Sequence, residues 1–366
     1  MHVLFIFNHP APYKVRLFNE LSEEIEVTAL FERLKNGDRD PRFYTGEKNK
    51  FHIARIRGIN LGCENHLSNG IAKHLQNHRY DLIVMNGWHT FSEMAALRYL
   101  KKHNIPYLFY INGGIIRAKE PRFMRKIKTK YIGGASLYFS PDENSNRYLA
   151  YYGADLDKIV NYPYSTIYEN EILTLPVDAA TKQSLRQELG VASDKLFVSC
   201  GQFILRKNYE RLISYWKTQP ANYRLAIIGG GKEKNKYQKL IKDNNLQNVT
   251  LIDFVPREKL FKYLQAADAY IFPSKEDIYG HVINEALSQG LPVISNNKVN
   301  SALRLIDNGV NGYVIDIEKD EEISNAINNV LKNMNMPGEA LKTARQNTIE
   351  RMARVHIDNF KKWMNK

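Results

Sequence analysis

Residues 273 to 287 read Pro273-Ser-Lys-Glu-Asp-Ile-Tyr-Gly-His-Val-Ile-Asn-Glu-Ala-Leu287, and this stretch joins a polar loop to the start of a helix. The apolar run Ala269-Tyr-Ile-Phe272 before it is typical of a short buried strand, and residues 280–288 have helix-forming content. A strand, a turn and a helix therefore follow one another. In this arrangement the first helical amides point at the space above the strand end, where the helix dipole favours an anion such as phosphate.

Two carboxylates in the same stretch would flank such an anion. Asp277 lies in the predicted loop and Glu285 lies two helical turns further on, while Glu276 stands beside the first acid. The residues alone do not rank Glu276 against Asp277. The amides expected to hold the anion belong to Tyr279, Gly280, His281 and Val282. We therefore predict that this stretch is the active centre.

The chain has 366 residues, which is too long for one ordinary core and suits two domains of similar size. Strands alternate with helices along it, as in a parallel sheet with helices on both faces. The segment 163–176 shows no periodicity and marks the boundary. We predict two Rossmann-like doubly wound α/β domains at residues 1–170 and 171–345, facing across a cleft, and a C-terminal helix at 346–366 that crosses back to the first domain.

The periodicity also predicts the individual elements. In the first domain, strands are expected at His2–Phe7, Glu26–Phe31, Asp81–Met85, Pro106–Ile111, Ser136–Ser140 and Lys158–Asn161, and helices at Val15–Glu23, His66–His78 and Phe91–His103. In the second domain, strands are expected at Leu196–Cys200, Tyr223–Ile228, Val249–Asp253, Ala269–Phe272 and Leu291–Ser295. The charge-rich stretch up to Lys50 is expected to be an exposed excursion, and Ala340–Lys366 is expected to form one or two helices.

The formal net charge of +13 favours anionic partners. An anionic membrane surface or a nucleotide fits this charge as well as nucleic acid, and since no nucleic-acid-binding motif is present we predict no nucleic-acid partner. Alternatively, the lysine-rich surface only confers solubility. No apolar window is long enough for a transmembrane helix, and Met1–Phe7 suits a first strand better than a signal peptide. Cys63 and Cys200 form no disulfide or metal pattern, and we expect a cytoplasmic protein.

Candidate ligand-binding residues follow three predicted strands of the second domain. After Gly201, the pair Arg206-Lys207 stands at a helix start, where basic groups can clamp a diphosphate. The run Ile227-Ile-Gly-Gly-Gly231, which includes Gly229, allows the backbone to approach a ligand, although a tight turn also needs glycine. Phe254 follows a further strand and could flank a nucleobase or simply fill an apolar corner.

Polar residues also follow two strands of the first domain. Asn86-Gly-Trp-His-Thr90 ends one strand, and the acceptor-side candidates Asn112, Gly113 and Gly114 end the next. Because ligands of such sheets bind at the carboxyl ends of strands, both segments are expected to face the ligand. His89 could bind a sugar hydroxyl or a phosphate oxygen, or it could act as a local cap.

A basic segment spans Arg117 to Ile132, with seven basic residues against one acidic residue. Phe123, Ile127 and Tyr131 recur at four-residue spacing and form an apolar stripe. A basic amphipathic helix of this kind suits a membrane interface or an anionic lipid headgroup. The alternative is an ordinary helix that packs the stripe on the sheet while its lysines face water.

An ordered set of motifs covers the second domain. It consists of the loop Gly201 to Lys207, Ile227-Ile-Gly-Gly-Gly231, Ala267-Asp-Ala-Tyr-Ile-Phe-Pro-Ser274, the carboxylate stretch, Ala286-Leu-Ser-Gln-Gly-Leu-Pro-Val-Ile294 and Asn308-Gly-Val-Asn-Gly-Tyr313. In this order the motifs resemble those of the retaining family 4 (group 1) glycosyltransferases of the two-domain GT-B fold. The N-terminal Pro10-Ala-Pro-Tyr-Lys-Val-Arg-Leu-Phe-Asn-Glu-Leu21 is similar to a subgroup that builds bacterial surface polysaccharides.

The resemblance implies roles for the two acids. The family motif has two glutamates separated by seven residues, so the first position is Asp277 here, an Asp-for-Glu exchange with Glu276 adjacent. By resemblance, Glu285 binds the nucleotide ribose and the first acid contacts sugar hydroxyls near the reacting carbon. Many relatives have an arginine where Gln202 stands, so the diphosphate charge would fall more heavily on Arg206 and Lys207.

These observations predict a retaining glycosyltransferase that uses a nucleotide diphosphate sugar, with UDP-sugars favoured, and a glycan or lipid-linked saccharide acceptor. The predicted catalytic residues are Asp277, Lys207, Arg206 and His89; no metal and no further cofactor are expected. The acceptor binds the first domain and the donor the second, and contact with the inner face of the cell membrane is expected through residues 117–132. The alternatives are a nucleotide-sugar epimerase of the same fold and a non-catalytic glycan-binding or accessory subunit.

Overall fold

The computed structural model describes residues 1–33, 48–56, 58–61, 65–68 and 70–365. The chain forms two compact units. Unit 1 comprises Met1–Thr166 together with the C-terminal segment that begins at Ile349, and unit 2 comprises Ile167–Thr348. Most of the predicted excursion before Lys50, and also Cys63, lie outside the described residues.

Unit 1 contains a seven-stranded parallel sheet and a small hairpin. The strands are β1 (His2–Phe7), β2 (Glu26–Phe31), β3 (His52–Arg55), β4 (Ile59–Leu61), β5 (Asn65–Leu67), β6 (Leu82–Asn86), β7 (Leu108–Tyr110), β8 (Leu137–Ser140) and β9 (Ile159–Asn161). The sheet order is β3-β2-β1-β6-β7-β8-β9, and β4 pairs with β5 in antiparallel fashion. In β1, Val3 pairs with Val27 on one side and Leu82 on the other.

Helices cover this sheet. Those of the first 166 residues are α1 (Pro12–Leu21), α2 (Gly70–Asn77), α3 (Phe91–Lys102), α4 (Arg122–Ile132) and α5 (Glu143–Tyr151). Pro12 suits the first position of α1, because that position has no intrahelical N–H partner to lose. The Thr90 side chain caps α3 within a capping box completed by Glu93.

The helix predicted from His66 to His78 is wrong in its first part. The chain forms β5 at Asn65–Leu67, and α2 begins only at Gly70. The pairing of β5 with β4 is a contact between segments, and such pairing overrides local propensity.

Unit 2 contains a six-stranded parallel sheet. Its strands are β10 (Lys195–Cys200), β11 (Tyr223–Ile228), β12 (Val249–Ile252), β13 (Ala269–Phe272), β14 (Val293–Asn296) and β15 (Gly312–Ile315), in the order β12-β11-β10-β13-β14-β15. Its helices are α6 (Ala179–Glu188), α7 (Tyr209–Trp216), α8 (Lys234–Asp243), α9 (Arg257–Ala266), α10 (Val282–Ser288), α11 (Asn300–Leu305), α12 (Asp320–Lys332) and α13 (Met336–Arg345). Apolar clusters fill both faces of the sheet, as a doubly wound fold requires.

The last helix, α14 (Ile349–Met364), completes unit 1. It packs against α1. The ring of Phe360 lies 6.2 Å from that of Phe5, and the ring of His356 stacks on Phe139 at 4.5 Å. Unit 1 is therefore built from two separate stretches of the chain.

Each sheet has a point at which the strand order reverses. In unit 1 it lies between β1 and β6, and in unit 2 it lies between β10 and β13. Ligands of open α/β sheets bind outside the carboxyl ends of the strands at such a point. The segments that follow these four strands are therefore the candidates for a functional site.

Candidate active site

The loops after β10 and β11 are held together by backbone contacts. The amide of Gly201 donates to the carbonyl of Ile228 at 3.0 Å, and the amide of Phe203 donates to that of Gly230 at 2.7 Å. A Cβ on Gly229, whose φ is +152°, would lie 1.9 Å from the Gly201 carbonyl oxygen. Position 229 thus requires glycine because the two loops approach each other closely there.

A single 3-10 turn, Leu205–Lys207, carries the two predicted cations. The carbonyl of Arg206 accepts hydrogen bonds from the amide of Lys275 at 2.9 Å and from the hydroxyl of Ser274 at 3.2 Å. These bonds fix the turn to the loop that follows β13. The turn ends at Asn208 in the left-handed region (φ +58°), which asparagine tolerates better than most residues.

Both cations contact the carboxylate of Asp277. Lys207 Nζ lies 2.6 Å and Arg206 Nη1 lies 3.0 Å from Asp277 Oδ2. Burial alone would raise the pKa of Asp277, but Lys207 and Arg206 outweigh it and hold this pKa below its ordinary value. Burial lowers the pKa of Lys207, and the neighbouring Asp277 opposes that change. The cluster lies at the sheet's switch point, because β10 and β13 are neighbours.

The two adjacent acids occupy different environments. The side chain of Asp277 is buried against the cations, whereas Glu276 is exposed. The contribution of Glu276 comes from its backbone carbonyl, which accepts from Arg206 Nη1 at 2.7 Å and from the Ser274 hydroxyl at 2.9 Å. The geometry therefore places the Asp277 carboxylate, and not that of Glu276, on the cations.

The segment that begins α11 supports the loop bearing Asp277. The amide of Asp277 donates to the carbonyl of Lys298 at 3.1 Å, and the Asn300 side chain donates to the carbonyl of Ile278 at 3.1 Å. The Ser301 hydroxyl donates to the carbonyl of Gly280 at 2.9 Å. Gly280 has φ +100°, a conformation that an L side chain rarely adopts. The loop conformation is therefore fixed at several points.

One of the four amides predicted to cradle an anion is bonded within its own loop. Helix α10 begins at Val282, and the amide of Tyr279 donates to Asp277 Oδ1 at 3.4 Å. Tyr279 is buried, and burial lowers the pKa of His281 to about 3, so this ring is neutral at neutral pH. Anion binding by the amides of Gly280, His281 and Val282 stays a prediction.

Glu285 forms an ion pair that the sequence did not reveal. Arg257 Nη1 lies 2.7 Å from Glu285 Oε1, and Arg257 Nε lies 3.2 Å from Glu171 Oε1. Arg257 is the first residue of α9, shortly after the partly buried Phe254. The sequence does contain a signal that could have identified Arg257. It is a cation at the start of a helix that follows a strand, as for Arg206 and Lys207. Glu285 is thus held by Arg257, while Asp277 belongs to a separate cluster.

The predicted residues of unit 1 lie at the ends of β6 and β7. The Asn112 side chain accepts from the Tyr164 hydroxyl at 2.8 Å and donates to Asn86 Oδ1 at 3.4 Å. A Cβ on Gly114 would lie 2.4 Å from the Tyr148 ring, so packing explains that glycine. Gly113 has φ +141°.

His89 presents its ring at the surface of unit 1. The residue is exposed, and its amide donates to Glu93 Oε2 at 2.7 Å. A neighbouring aromatic ring, that of Trp88, stacks on it at 5.3 Å. The backbone of His89 is therefore anchored to Glu93, and its ring packs against that of Trp88.

The basic segment forms helix α4, and the predicted stripe is divided. Tyr131 is buried, whereas Phe123 is 63% and Ile127 is 37% exposed. Toward α5, Lys128 pairs with Glu120 at 2.5 Å. The alternative in which the whole stripe packs on the sheet is therefore wrong for the first two turns of the helix. Within the described residues, no helix has the length and apolar character needed to cross a membrane.

A family model matches the part of the chain that carries the motifs of unit 2. Residues 181–350, a little under half of the chain, match the family model "Glycosyl transferases group 1". This range contains Arg206, Lys207, Asp277, Glu285 and Arg257. The resemblance to group 1 glycosyltransferases is thereby confirmed for this part of the chain.

Curated relatives match over similar stretches. The D-inositol 3-phosphate glycosyltransferase of Xylanimonas cellulosilytica is 27% identical over 187 residues, which cover 50% of this chain and 45% of that protein. The lipopolysaccharide core biosynthesis glycosyltransferase LpsE of Rhizobium meliloti is 28% identical over 148 residues, covering 40% and 42%. The aligned stretches therefore span less than half the length of these relatives.

Solved structures match over the whole chain. Alr3699/HepE of Anabaena, solved in complex with UDP and glucose, superposes with a TM-score of 0.77 at 17% identity and covers 99% of this chain and 100% of that chain. Two doubly wound α/β units of this kind define the GT-B fold, which confirms the fold predicted from the sequence. The protein thus has the GT-B architecture, and its residues 181–350 match the group 1 glycosyltransferase model.

Proposed function

We propose that the protein is a glycosyltransferase that moves a sugar from a nucleotide diphosphate sugar to a hydroxyl acceptor with retention of configuration. The observation that carries the proposal is the cluster of Arg206, Lys207 and Asp277 at the switch point of unit 2. It lies inside the residues that match the group 1 model. Two cations and one carboxylate at such a point suit a ligand that combines phosphates with hydroxyl groups.

The cations stabilise the departing diphosphate. Bond cleavage at the anomeric carbon leaves negative charge on the phosphate oxygens and an oxocarbenium-like sugar, so fixed positive groups near the leaving group lower the barrier. Arg206 is 41% exposed and reaches the phosphates first, while the more buried Lys207 remains against Asp277. Because these side chains supply the charge, we propose that no metal is required.

The carboxylates bind the sugar and the nucleoside. Asp277 accepts hydrogen bonds from hydroxyls of the donor sugar, and Glu285 accepts from the ribose. Arg257 Nη1 pairs with Glu285 Oε1 at 2.7 Å and fixes the position of this carboxyl group. In unit 1, the exposed ring of His89 and the segment Asn112 to Gly114 contact the acceptor side.

The comparisons support the proposed donor and acceptor classes. Alr3699/HepE was solved with UDP and glucose, which supports a UDP-sugar as donor. One relative acts in lipopolysaccharide core biosynthesis, which supports a glycan or lipid-linked saccharide acceptor in surface polysaccharide synthesis. The reaction would then take place in the cytoplasm.

Donor binding is the first experiment. The purified full-length chain is mixed with a panel of nucleotide sugars, beginning with UDP-glucose, and its thermal stability and the release of UDP are measured. A donor stabilises the native state by mass action, so at least one nucleotide sugar should raise the melting temperature. If none stabilises the protein or releases nucleotide, the donor proposal is wrong.

Product analysis separates the alternatives. An epimerase converts or hydrolyses the donor without an acceptor, whereas a transferase releases UDP faster when a saccharide acceptor is added. NMR of the new glycosidic bond reports retention, and full activity in EDTA is expected for a metal-independent enzyme. An accessory subunit would bind saccharide but give no product with any donor.

We also propose that α4 docks unit 1 on an anionic membrane. Arg122, Lys126 and Lys130 recur at four-residue spacing and are exposed, beside the exposed side chains of Phe123 and Ile127. Cations attract anionic headgroups, and the apolar side chains enter the interface.

Vesicle sedimentation tests this contact. Binding to vesicles containing phosphatidylglycerol should exceed binding to pure phosphatidylcholine, and Lys126→Glu and Phe123→Ala should each weaken it. Matched controls are Arg147→Glu, which makes the same charge change on α5, and Leu156→Ala, which removes a side chain that is also 63% exposed. Equal recovery in the supernatant with both vesicles would count against the proposal.

A further inference from the structure

Three ionisable side chains are buried together at the switch point of the unit 1 sheet. They are Lys14 of α1, Glu32 immediately after β2 and Glu93 of α3. Only 3% of Lys14, 4% of Glu32 and 2% of Glu93 is exposed. Lysine and glutamate are almost never buried to this extent unless they are paired, so the cluster requires a physical explanation.

Thr90 joins the two carboxyl groups. Its hydroxyl donates to Glu32 Oε1 at 2.5 Å and accepts from the amide of Glu93 at 3.0 Å. The carboxyl of Glu93 in turn accepts from the amide of Thr90 at 3.1 Å and from the amide of His89 at 2.7 Å. The backbone of His89 is therefore bonded directly to this buried cluster.

The cluster lacks the ion pairs expected for buried charges. Lys14 Nζ donates to Asn8 Oδ1 at 3.0 Å and lies 4.5 Å from the centroid of the Phe7 ring. In the described part of the chain, no ion pair joins Lys14 to Glu32 or Glu93, and Glu32 Oε2 has no hydrogen-bond partner. Burial without direct pairing disfavours the charged form of each group.

Protonation of the cluster therefore changes near neutral pH. Burial raises the pKa of Glu32 to about 7 and that of Glu93 to about 8, and it lowers the pKa of Lys14 to about 7. Arg33, next to Glu32, and Lys14 oppose the rise only in part. The two carboxyl groups interact, so the proton belongs to the pair.

We propose that Glu93, acting with Glu32 and Lys14, is a proton-linked positioning group for the loop that carries His89. With one proton on the pair, the two carboxyl groups share a single negative charge, while the amides of His89 and Thr90 donate to Glu93 and the Thr90 hydroxyl donates to Glu32. Loss of that proton puts two negative charges into the same buried cluster, weakens the capping box and shifts His89. The proposal rests on the proposed role of His89 at the acceptor side.

NMR of the His89 ring tests the coupling without turnover. The histidine ring signals of the full-length protein are followed from pH 5.5 to pH 9, and the His89 signal is assigned with His89→Gln. In the unchanged protein it should show a second inflection near pH 7 to 8 besides its own titration. Glu32→Gln and Glu93→Gln should each abolish the second inflection, while Glu143→Gln, an exposed change on α5, should keep it.

The pH profile of transfer gives a second readout. Loss of the proton should lower kcat/KM above pH 8 in the unchanged protein, and Glu32→Gln should flatten that decline. A His89 signal with one inflection, or a second inflection that persists in both Gln variants, overturns the proposal. If the unchanged protein shows both inflections but transfers no sugar at any pH, the proposed function fails while the coupling stands.

Discussion

Lys207 and Asp277 depend on each other for both stability and chemistry. The Lys207 ammonium is largely buried, lies 4.5 Å from the centroid of the Phe272 ring and finds its counter-charge 2.6 Å away on Asp277. Burial lowers the pKa of Lys207, and the Asp277 carboxylate opposes this and favours the charged ammonium. The residues that would hold the donor are therefore also residues that the fold of unit 2 needs.

Replacement of Lys207 by alanine should have a larger effect on the rate of sugar transfer than on the free energy of unfolding. Loss of one preorganised positive group at the leaving diphosphate should lower kcat by roughly 10²- to 10³-fold. Steady-state rates of UDP release measure the effect. Lys236→Ala on α8 is the control, because that lysine is exposed and pairs only with Glu210 at the surface. Equal loss of activity in both variants would contradict the assignment of Lys207.

The two adjacent acids should differ sharply in stability tests. Asp277→Asn leaves Lys207 without its counter-charge and should destabilise unit 2 by about 3 kcal/mol, at the lower end for a broken buried pair. Glu276→Gln changes an exposed side chain and should alter stability by less than about 0.5 kcal/mol. Urea denaturation of both variants checks the difference, and similar losses would favour Glu276 as the structural acid.

The raised pKa of Glu32 should make the free energy of unfolding fall as the pH rises. Its pKa is raised from 4.5 in the unfolded chain to about 7 in the folded chain, so the folded state binds more protons between these values. Stability is therefore lost as the pH rises through this window, by at most about 1.4 kcal/mol per pH unit for one proton. Relative to the unchanged protein, Glu32→Gln should gain stability from pH 5 to pH 7 in denaturant titrations. A difference that does not vary with pH would show that Glu32 is ionised throughout.

Among the elements, helix α14 depends on a neutral histidine. His356 is fully buried between aromatic rings, its Nδ1 lies 2.7 Å from the carbonyl of Met352, and burial lowers its pKa to about 4. A neutral ring of this kind packs against Phe139, while a charged ring would have to leave the cluster. Acid should therefore loosen the attachment of α14.

Acid destabilisation of unit 1 should be reduced by His356→Gln. The unfolded histidine titrates at 6.5 and the folded one at about 4, so the unfolded state binds more protons in this window. Stability is lost as the pH falls from 6.5 toward 4, at up to about 1.4 kcal/mol per pH unit. Calorimetry at several pH values should show a shallower dependence for the variant. An unchanged pH dependence would exclude His356 as the titrating group.

Local pattern predicted those elements whose boundaries are marked by local chemistry. Strand β13 has the predicted bounds, since an apolar run ends at Pro273. Helix α1 begins three residues before the predicted Val15, because Pro12 can occupy the first helical position. The strand at Asn65–Leu67 was missed because it exists only through pairing with β4. Sequence patterns thus performed well except where a partner segment decided the structure.

In the candidate site, too, the sequence identified residues with a local signal and missed those that depend on contacts made by folding. The cations, the acids and the glycines were identified from their places after strands. The contact of Lys207 with Asp277 joins residues 70 positions apart and depends on β10 lying beside β13. The buried group of Lys14, Glu32 and Glu93 was missed because charged residues are expected at the surface. Strand order and burial are properties of the folded chain, and sequence spacing does not reveal them.

At the scale of the whole molecule, two units should respond differently to a donor. On the proposed function, UDP binds at the cluster of Arg206, Lys207 and Asp277 in unit 2, so at 100 times its Kd it should stabilise that unit by about 2.7 kcal/mol. Limited proteolysis with and without UDP should show protection of fragments from 167–348 first. Arg206→Ala should reduce that protection. Uniform protection of both units would indicate that UDP also binds elsewhere.

The placement of α14 in unit 1 has a consequence for biosynthesis. Phe5 is translated before the whole of unit 2, whereas Phe360, which packs on it, is translated after unit 2. Unit 2 is one continuous stretch and can fold while synthesis continues, but unit 1 lacks a helix until α14 has been translated. The aromatic face that α14 covers is therefore open while unit 2 is being synthesised. Nascent chains should bind chaperones through the N-terminal unit, although that unit is synthesised first.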